Sequence, residues 1–211
     1  MKIKPADLDK RGKHELMMSA IVPRPIAWVS TVGEDGIFNL APFSAFSSLG
    51  QQPSLVCLSI SLKRGGEEKD TLRNIRFSKD FVVNVVNEDL AEAMNKSSFE
   101  YPIDVDEFKE AGVTPAKADL VKSPMVAESP VNMECKLAQV LKLGEAGYAV
   151  IGEVLLVHVK DELWNGEYIE PSLLKAVGRV GGIHSYCRTT DTFEMERPDP
   201  SSWASETPGK K

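Results

Sequence analysis

The amino-acid sequence predicts a mainly β protein with short helices inserted between its strands. Two observations predict this fold class. Short runs rich in Val, Leu and Ile recur along the chain, and the clearest of them are joined by four-residue connections with glycine at both ends, as hairpins require. The segments that begin with helix-capping residues are, in contrast, short.

Two hairpins and two further strands are predicted. The turns of the hairpins are Gly33-Glu-Asp-Gly36 and Gly144-Glu-Ala-Gly147. One of the further strands alternates regularly between two faces, which is the period of a β-strand. The hairpins join residues 26–32 to 37–46 and residues 131–143 to 148–159, and the further strands cover residues 54–62, which alternate, and 81–86.

The short helices are expected to begin at residues that suit a helix start. A carboxylate or amide at the N-cap accepts the N–H groups of the first turn, and proline is tolerated at the first helical position because its missing N–H has no partner there. The expected starts and spans are Asp70 with residues 71–77, Asn87 with residues 88–95, Asp104 or Asp106 with a turn through Lys109, and Pro171 with residues 171–176.

Composition excludes several classes of protein. The chain has 211 residues, 42% hydrophobic and 27% charged, as in ordinary globular proteins. A net charge of −6 argues against a nucleic-acid partner, because a phosphate backbone favours a basic surface. No apolar run approaches the roughly 20 residues that cross a bilayer, and the first ten residues lack the apolar core of a signal peptide. A cytoplasmic protein without a membrane partner is expected.

The cysteines and histidines predict neither a metal site nor a dithiol centre. Cys57, Cys135 and Cys187 are far apart and form no CxxC pair, and the first two lie in apolar runs that favour buried thiols. The three histidines are equally scattered, so no metal ligation is predicted.

One folded domain is expected over residues 1–197, followed by a mobile tail over residues 198–211, which lacks periodicity. The glycine-rich segment Gly178-Arg-Val-Gly-Gly182 does not have the GxGxxG spacing of a dinucleotide fold. His184 follows this segment, where it could donate a proton or stack on a flat ring, although a lone histidine is more often structural or exposed.

A phosphate site is one interpretation of the loop over residues 63–71. Lys63, Arg64 and Lys69 supply positive charge, and Thr71 supplies a hydroxyl at the start of a predicted helix, where anions are favoured. Asp70 would repel a phosphate, so it is assigned to capping. The alternative is a solvated charged loop before a capped helix.

The segment over residues 39–48 is unusual for a strand. It is rich in small polar residues, and Pro42 cannot donate to a sheet ladder, so an edge or a bulge is predicted. The free backbone groups of such an edge could bind the rim of a flat ring; the alternative is an edge kept polar against aggregation. With the phosphate site, this edge suits flavin mononucleotide (FMN).

Taken together, these segments resemble the flavin reductase-like family of FMN-binding split-barrel proteins. The resemblance covers roughly residues 18 to 197, and the order and spacing of its pieces make it specific. At one place the chain reads Lys69-Asp-Thr71 where relatives that use free flavin have Ser-x-Thr. The pieces are Arg24-Pro-Ile-Ala-Trp-Val-Ser-Thr31, Asn39-Leu-Ala-Pro-Phe-Ser44, Gln52-Pro53, Lys69-Asp-Thr71, Phe81-Val-Val-Asn-Val85, Asp106-Glu-Phe108, Gly112-Val-Thr-Pro115, Glu128-Ser-Pro-Val131, Glu134-Cys135 and Gly152-Glu-Val154.

The resemblance implies a closed antiparallel split β-barrel of Greek-key type that forms a homodimer, with FMN near the dimer interface. The flavin ring is then expected against residues 39–48 and the phosphate against residues 59–71. His184 is the candidate catalytic residue. The candidate FMN-binding residues are Asn39, Ala41, Ser44, Ser59, Arg64, Lys69 and Thr71.

The resemblance also implies an oxidoreductase that takes hydride from NAD(P)H onto flavin N5 and passes electrons to a flavin or another acceptor, such as a partner monooxygenase. The cofactor carries the difficult chemistry, so no side-chain base is strictly required. Two alternatives stay open: a non-enzymatic FMN protein that carries electrons or stores flavin, and a flavin-free structural barrel.

Overall fold

A seven-stranded antiparallel sheet dominates the computed structural model, which describes residues 1–145, 147–182 and 184–197. The prediction of a mainly β protein is confirmed, and the predicted tail over residues 198–211 lies outside the described residues. The strands are β1 (Ala27–Val32), β2 (Phe38–Phe43), β3 (Phe46–Gln51), β4 (Ser54–Ser61), β5 (Asp80–Val85), β6 (Pro115–Ala116), β7 (Met125–Val126), β8 (Val131–Lys142), β9 (Gly147–Val159), β10 (Val177–Arg179) and β11 (Tyr186–Arg188).

The strand order of the main sheet is β2-β1-β5-β8-β9-β4-β3. Both predicted hairpins are confirmed, because β1 pairs with β2 and β8 pairs with β9. The first turn is closed by the Gly33 N–H, which donates to the Ile37 carbonyl at 2.9 Å. Two small ribbons, β6–β7 and β10–β11, complete the β structure of the described residues.

The segment predicted as one strand over residues 37–46 forms two strands instead. β2 ends at Phe43, and β3 begins at Phe46 and pairs with β4 rather than continuing along β1. Pro42 therefore lies at the end of β2, which is an edge strand of the sheet, and the predicted edge is confirmed. Proline is tolerated there because the outer side of an edge strand needs no ladder hydrogen bond.

The helices are short, as predicted, apart from one N-terminal helix that was not predicted. They are α1 (Lys10–Ala20), α2 (Asp70–Ser78), α3 (Ala91–Lys96), α4 (Glu107–Ala111) and α5 (Pro171–Leu174), with a 3-10 turn, Glu88–Leu90, just before α3. The side chains of Asn87 and Asp106 cap their helices by accepting the N–H groups of Leu90 and Phe108. None of the side chains of α1 is buried within the described part of the chain.

The predicted capping role of Asp70 is wrong. Lys69 occupies the N-cap position of α2, and Asp70 is the first residue inside the helix. The Asp70 carboxylate instead pairs with Lys63 at 2.7 Å and with Arg73 at 2.6 Å. One cation from the loop before α2 and one from its first turns therefore hold this carboxylate in place of the free N–H groups of the helix.

Two apolar clusters hold the sheet and its helices together. One lies inside the sheet and includes Phe81, Leu58 and Leu72 of α2; the other joins β1 and β2 to α3 and α4 around Trp28 and Phe108. Burying each large side chain contributes roughly 1.5–3 kcal/mol, so these clusters fix the helix positions beside β2. The alternation predicted for residues 54–62 is confirmed in β4, where every second residue is buried.

None of the helices in the described part of the chain has both the length and the apolar character that spanning a bilayer requires.

Candidate active site

A cavity of about 380 Å³, called here the main cavity, opens between the end of β2, the middle of β4 and the start of α2. It gathers every predicted FMN-binding residue except Arg64. Its other walls come from α1 and from the loop that follows α3. The predicted residues that line it are Asn39, Ala41, Ser44, Ser59, Lys69 and Thr71.

Arg64 and the predicted catalytic residue His184 lie in two adjoining cavities. Arg64 lines a cavity that shares Phe99 and Tyr101 with the main cavity. His184 lines a third cavity, of about 540 Å³, together with Arg179 and Tyr186. This His184 cavity shares Pro42, Ser44 and Ser98 with the main cavity, so the edge of β2 forms a common border between the two.

The wall of the main cavity that faces α2 combines hydroxyls with positive charge. Ser59 and Ser61 come from the outward side of β4, and Lys63 and Lys69 flank the loop between β4 and α2. The first N–H groups of α2 have no carbonyl partner within the helix, which makes its start favourable for an anion. Lys69, at the N-cap, lies 3.8 Å from Glu100, a weak pairing that leaves the ammonium close to the cavity.

Asp70 contributes little repulsion to an anion at this site. Burial raises the pKa of its carboxyl, but the hydrogen bonds and charges of Lys63 and Arg73 outweigh burial and hold the pKa below its ordinary value. Asp70 therefore stays ionised and is paired on both sides. The repulsion expected from the sequence is reduced by these two ion pairs rather than by helix capping.

A buried chain of hydrogen bonds forms the floor of the main cavity. Thr71, which is 1% exposed, donates its hydroxyl proton to Asn39 Oδ1 at 2.8 Å. Asn39 Nδ2 donates in turn to Glu107 Oε1 at 2.6 Å, and the Leu40 N–H donates to Glu107 Oε2 at 3.3 Å. Thr31 adds a longer bond of 3.3 Å to Asn39 Oδ1. The side chains of α2, β2 and α4 are thus joined by one network.

Glu107 was not predicted as a site residue, although it lies within the quoted Asp106-Glu-Phe108 piece. It is 7% exposed. Burial is the largest cause that raises the pKa of the Glu107 carboxyl to about 7, and the negative charge of Asp70 adds to it, against the lowering effect of the hydrogen bonds from Asn39 and Leu40. The helix cap at Asp106 turns Glu107 inward, and this cap was the only local signal for its position.

The unpredicted helix α1 supplies the outer wall of the main cavity through His14 and Met18. Its C-terminal end is tied to the segment around β10 by Arg24, which is 6% exposed. The guanidinium donates to the carbonyls of Met18 and Ile21, and the latter bond measures 3.0 Å. Arg24 therefore has a positioning role for α1, since cations at a helix C-terminus satisfy its last carbonyls.

Folding brings Asp119, Glu134 and His158 together away from the main cavity, with candidate ligand atoms within 4.8 Å of one another. Glu134 is fully buried and accepts the backbone N–H of Asp119 at 2.8 Å and that of Leu120 at 2.6 Å. His158 Nε2 lies 2.6 Å from the same carboxylate. These contacts use both oxygens of Glu134 to fasten the loop at residues 119–121 to the sheet.

A sequence model described as the flavin reductase like domain matches residues 17–175. The chain belongs to the flavin reductase-like family. The matched residues include β1 to β9 and the start of α2, so the family match covers every lining residue of the main cavity except His14.

Solved structures agree with this family. Nitrilotriacetate monooxygenase component B from Bacillus cereus is 31% identical with a TM-score of 0.88, covering 92% of this chain and 98% of its own. The 2-nitrobenzoate 2-nitroreductase of Pseudomonas fluorescens is 30% identical with a TM-score of 0.86, covering 94% and 96%. A Shewanella frigidimarina NCIMB 400 protein assigned as a flavin reductase with a split barrel domain is 24% identical with a TM-score of 0.81, covering 94% and 100%, and supports the fold.

Glu107→Gln is expected to remove a pH-dependent loss of stability. A carboxyl whose pKa is about 7 in the folded protein, against an ordinary 4.5, binds its proton more tightly when folded. The free energy of unfolding of the parent protein therefore falls as pH rises between these two values, and it stays constant above the higher one. The total loss relative to the variant is up to about 3 kcal/mol.

Urea unfolding at a series of pH values measures this difference in the free energy of unfolding. The control is Glu110→Gln, which changes an exposed carboxylate on the same helix. A parallel pH dependence in the parent protein and Glu107→Gln would show that Glu107 ionises as an ordinary carboxyl.

Proposed function

We propose that this protein is an FMN-dependent oxidoreductase of the cytoplasm, which accepts hydride from NAD(P)H and passes electrons to a flavin or to a partner such as a monooxygenase. The single observation that carries this proposal is the main cavity, where hydroxyls, Lys69 and the start of α2 converge beside the polar edge of β2. A phosphate and a flat polar ring are the groups that these two walls favour.

The donor set suits the phosphate end of FMN. Lys69 supplies a charge, Ser59 a hydroxyl, and Thr71 a first-turn N–H group, all on the wall that faces α2. Arg64 lines the adjoining cavity, on the same loop before α2. It could add a second positive charge if this loop closes around the phosphate. Charge-assisted hydrogen bonds of this kind contribute roughly 1.5–3 kcal/mol each.

The ring would lie along residues 39–48, where Ala41 and Ser44 border the main cavity and leave room for close approach. When bound, the flavin supplies hydride acceptance and onward electron transfer. The chain's own part is to fix the ring, to offer backbone N–H groups of the β2 edge to the oxygen-rich rim, and to keep one face open. His184 lines the adjoining cavity with Pro42 and Ser44, and we expect it to face a molecule on that open side.

We expect the working unit to be a homodimer with each barrel closed, as the family resemblance implies. The β8–β9 hairpin leaves large apolar side chains uncovered in the single chain: Leu141 is 42% exposed, Leu155 38% and Val157 45%. A second copy would bury them. The name of the Bacillus cereus relative, a monooxygenase component, supports an electron-accepting partner for this chain as well.

Replacing both Lys69 and Thr71 by alanine is expected to weaken FMN affinity by at least about tenfold while the protein stays folded, since the charge-assisted hydrogen bond from Lys69 to the phosphate is lost together with the Thr71 hydroxyl that holds Asn39 in the cavity floor. Fluorescence quenching of FMN on binding measures the affinity. Lys117→Ala is the control, because it removes an exposed positive charge that lines none of these cavities. Equal affinity in the double variant and the parent would refute the phosphate assignment.

Anaerobic stopped-flow mixing with NADH or NADPH tests the activity. In the FMN-loaded protein, the flavin absorbance band is expected to bleach within the time of one catalytic turnover. In His184→Ala, measured at saturating FMN, the band is expected to bleach more slowly. An unchanged rate in His184→Ala would return this residue to a structural role. Absence of bleaching in the parent with both nucleotides would favour an electron carrier or flavin-storage protein.

A further inference from the structure

Glu107 lies in the wall between two cavities. On one side is the main cavity; on the other is a cavity of about 410 Å³ that is lined by Phe77 and Ile103 and opens beside the turn between β1 and β2. Asn39 and Asp70 border both cavities with it. The Glu107 carboxyl therefore contacts the binding site through Asn39, and it can exchange its proton with solvent in the second cavity.

When Glu107 is ionised, the direction of every hydrogen bond in the floor of the main cavity is fixed. A carboxylate only accepts, so the Asn39 amide must turn its Nδ2 toward Glu107, as it does at 2.6 Å. Asn39 Oδ1 then faces Thr71 and takes the only proton of that hydroxyl at 2.8 Å. The Thr71 oxygen then has only lone pairs to offer to the main cavity, and these repel an anion.

When Glu107 is protonated, the chain can run in the opposite direction. The carboxylic acid donates to Asn39 Oδ1 after the amide has turned over, and its second oxygen still accepts the Leu40 N–H. Asn39 Nδ2 has two protons and then donates to the oxygens of both Thr71 and Thr31, which donated to Asn39 Oδ1 before. The hydroxyl proton of Thr71 is released from Asn39 and is free to donate into the main cavity.

We propose that Glu107 is a positioning residue that acts through Asn39 to decide whether Thr71 offers a proton or lone pairs to an anionic ligand. This inference rests on the proposed function, because the anion is taken to be the FMN phosphate. The phosphate then binds the form of the protein in which Glu107 carries a proton, so that FMN binding and protonation of Glu107 favour each other.

Other charged groups also face this region, and they are the same in the parent protein and in Glu107→Gln. Asp70 and Arg73 come from α2, and the remaining groups belong to the neighbouring elements. They are Glu34 and Asp35 in the turn between β1 and β2, Asp106 next to Glu107 itself, His14 on α1, Lys63 and Lys69 around the loop before α2, and Glu100 after α3. A comparison between variants at the same pH cancels their effects.

The sign of the pH dependence follows from linkage. Burial holds the pKa of the Glu107 carboxyl at about 7, so its protonation state changes near neutral pH. FMN affinity in the parent protein should therefore rise as pH falls through this value. Each unit by which bound FMN raises the pKa of Glu107 corresponds to about a tenfold gain in affinity.

The experiment compares FMN dissociation constants of the parent protein and Glu107→Gln between about pH 6 and about pH 8. The introduced amide donates to Asn39 Oδ1 and accepts the Leu40 N–H at every pH, as the protonated acid would. The ratio of the parent constant to the variant constant should be near one at the lower pH and about ten at the higher pH. Taking the ratio also cancels the titration of the FMN phosphate.

A ratio that does not change with pH, with FMN bound by both proteins, would overturn this inference and leave the proposed function standing. No binding of FMN to the parent at any pH would overturn both. Proton uptake provides a second readout, because FMN binding to the parent near the pKa of Glu107 should take up protons from the buffer, whereas binding to Glu107→Gln should take up none from this site.

The pair Thr71→Ser and Thr71→Val keeps the test decisive if Glu107→Gln does not fold. Serine retains the hydroxyl, so Thr71→Ser should keep the pH dependence of the parent. Valine matches threonine in shape but has no proton to release, so FMN affinity in Thr71→Val should vary less with pH than in Thr71→Ser. The same pH profile in both variants would contradict the relay.

Discussion

The hydrogen bond between Asn39 and Glu107 is the contact on which the site depends. It joins the edge strand β2 to α4, and through Thr71 it extends to the start of α2. Buried polar groups are costly unless each finds a partner, so each of these three side chains satisfies a neighbour that would otherwise be buried without one. Because the chain of bonds is satisfied internally, the start of α2 and the edge of β2 are held at fixed positions on either side of the main cavity.

Electrostatics at this site are balanced by pairing rather than by excess charge. Asp70 carries a charge that would oppose an anion, but Lys63 and Arg73 enclose it, while Lys69 has a distant partner at 3.8 Å. One cation whose nearest acidic partner among the described residues is 3.8 Å away, a helix start and several hydroxyls are therefore enough to favour a phosphate in a chain whose net charge is −6. Glu107 stands apart because burial leaves its protonation adjustable near neutral pH.

Local patterns in the sequence predicted the parts of the fold that depend on neighbours along the chain. The two hairpins followed from paired glycines, and the caps at Asn87 and Asp106 from the preference of the helix start. The role of Asp70 was wrong because Lys63 and Arg73 reach it only once the loop is folded. Glu107 was missed because its burial depends on β2, which is distant in sequence, and α1 was missed because it buries no side chain to give a periodic pattern.

The most direct test of this account is a crystal structure of the protein with FMN. We expect the phosphate in the main cavity, within hydrogen-bond distance of Lys69 and of the first N–H groups of α2, and the ring along residues 39–48 toward the His184 cavity. A phosphate bound instead in the cavity lined by Phe77 and Ile103, or a ring away from the edge of β2, would contradict it.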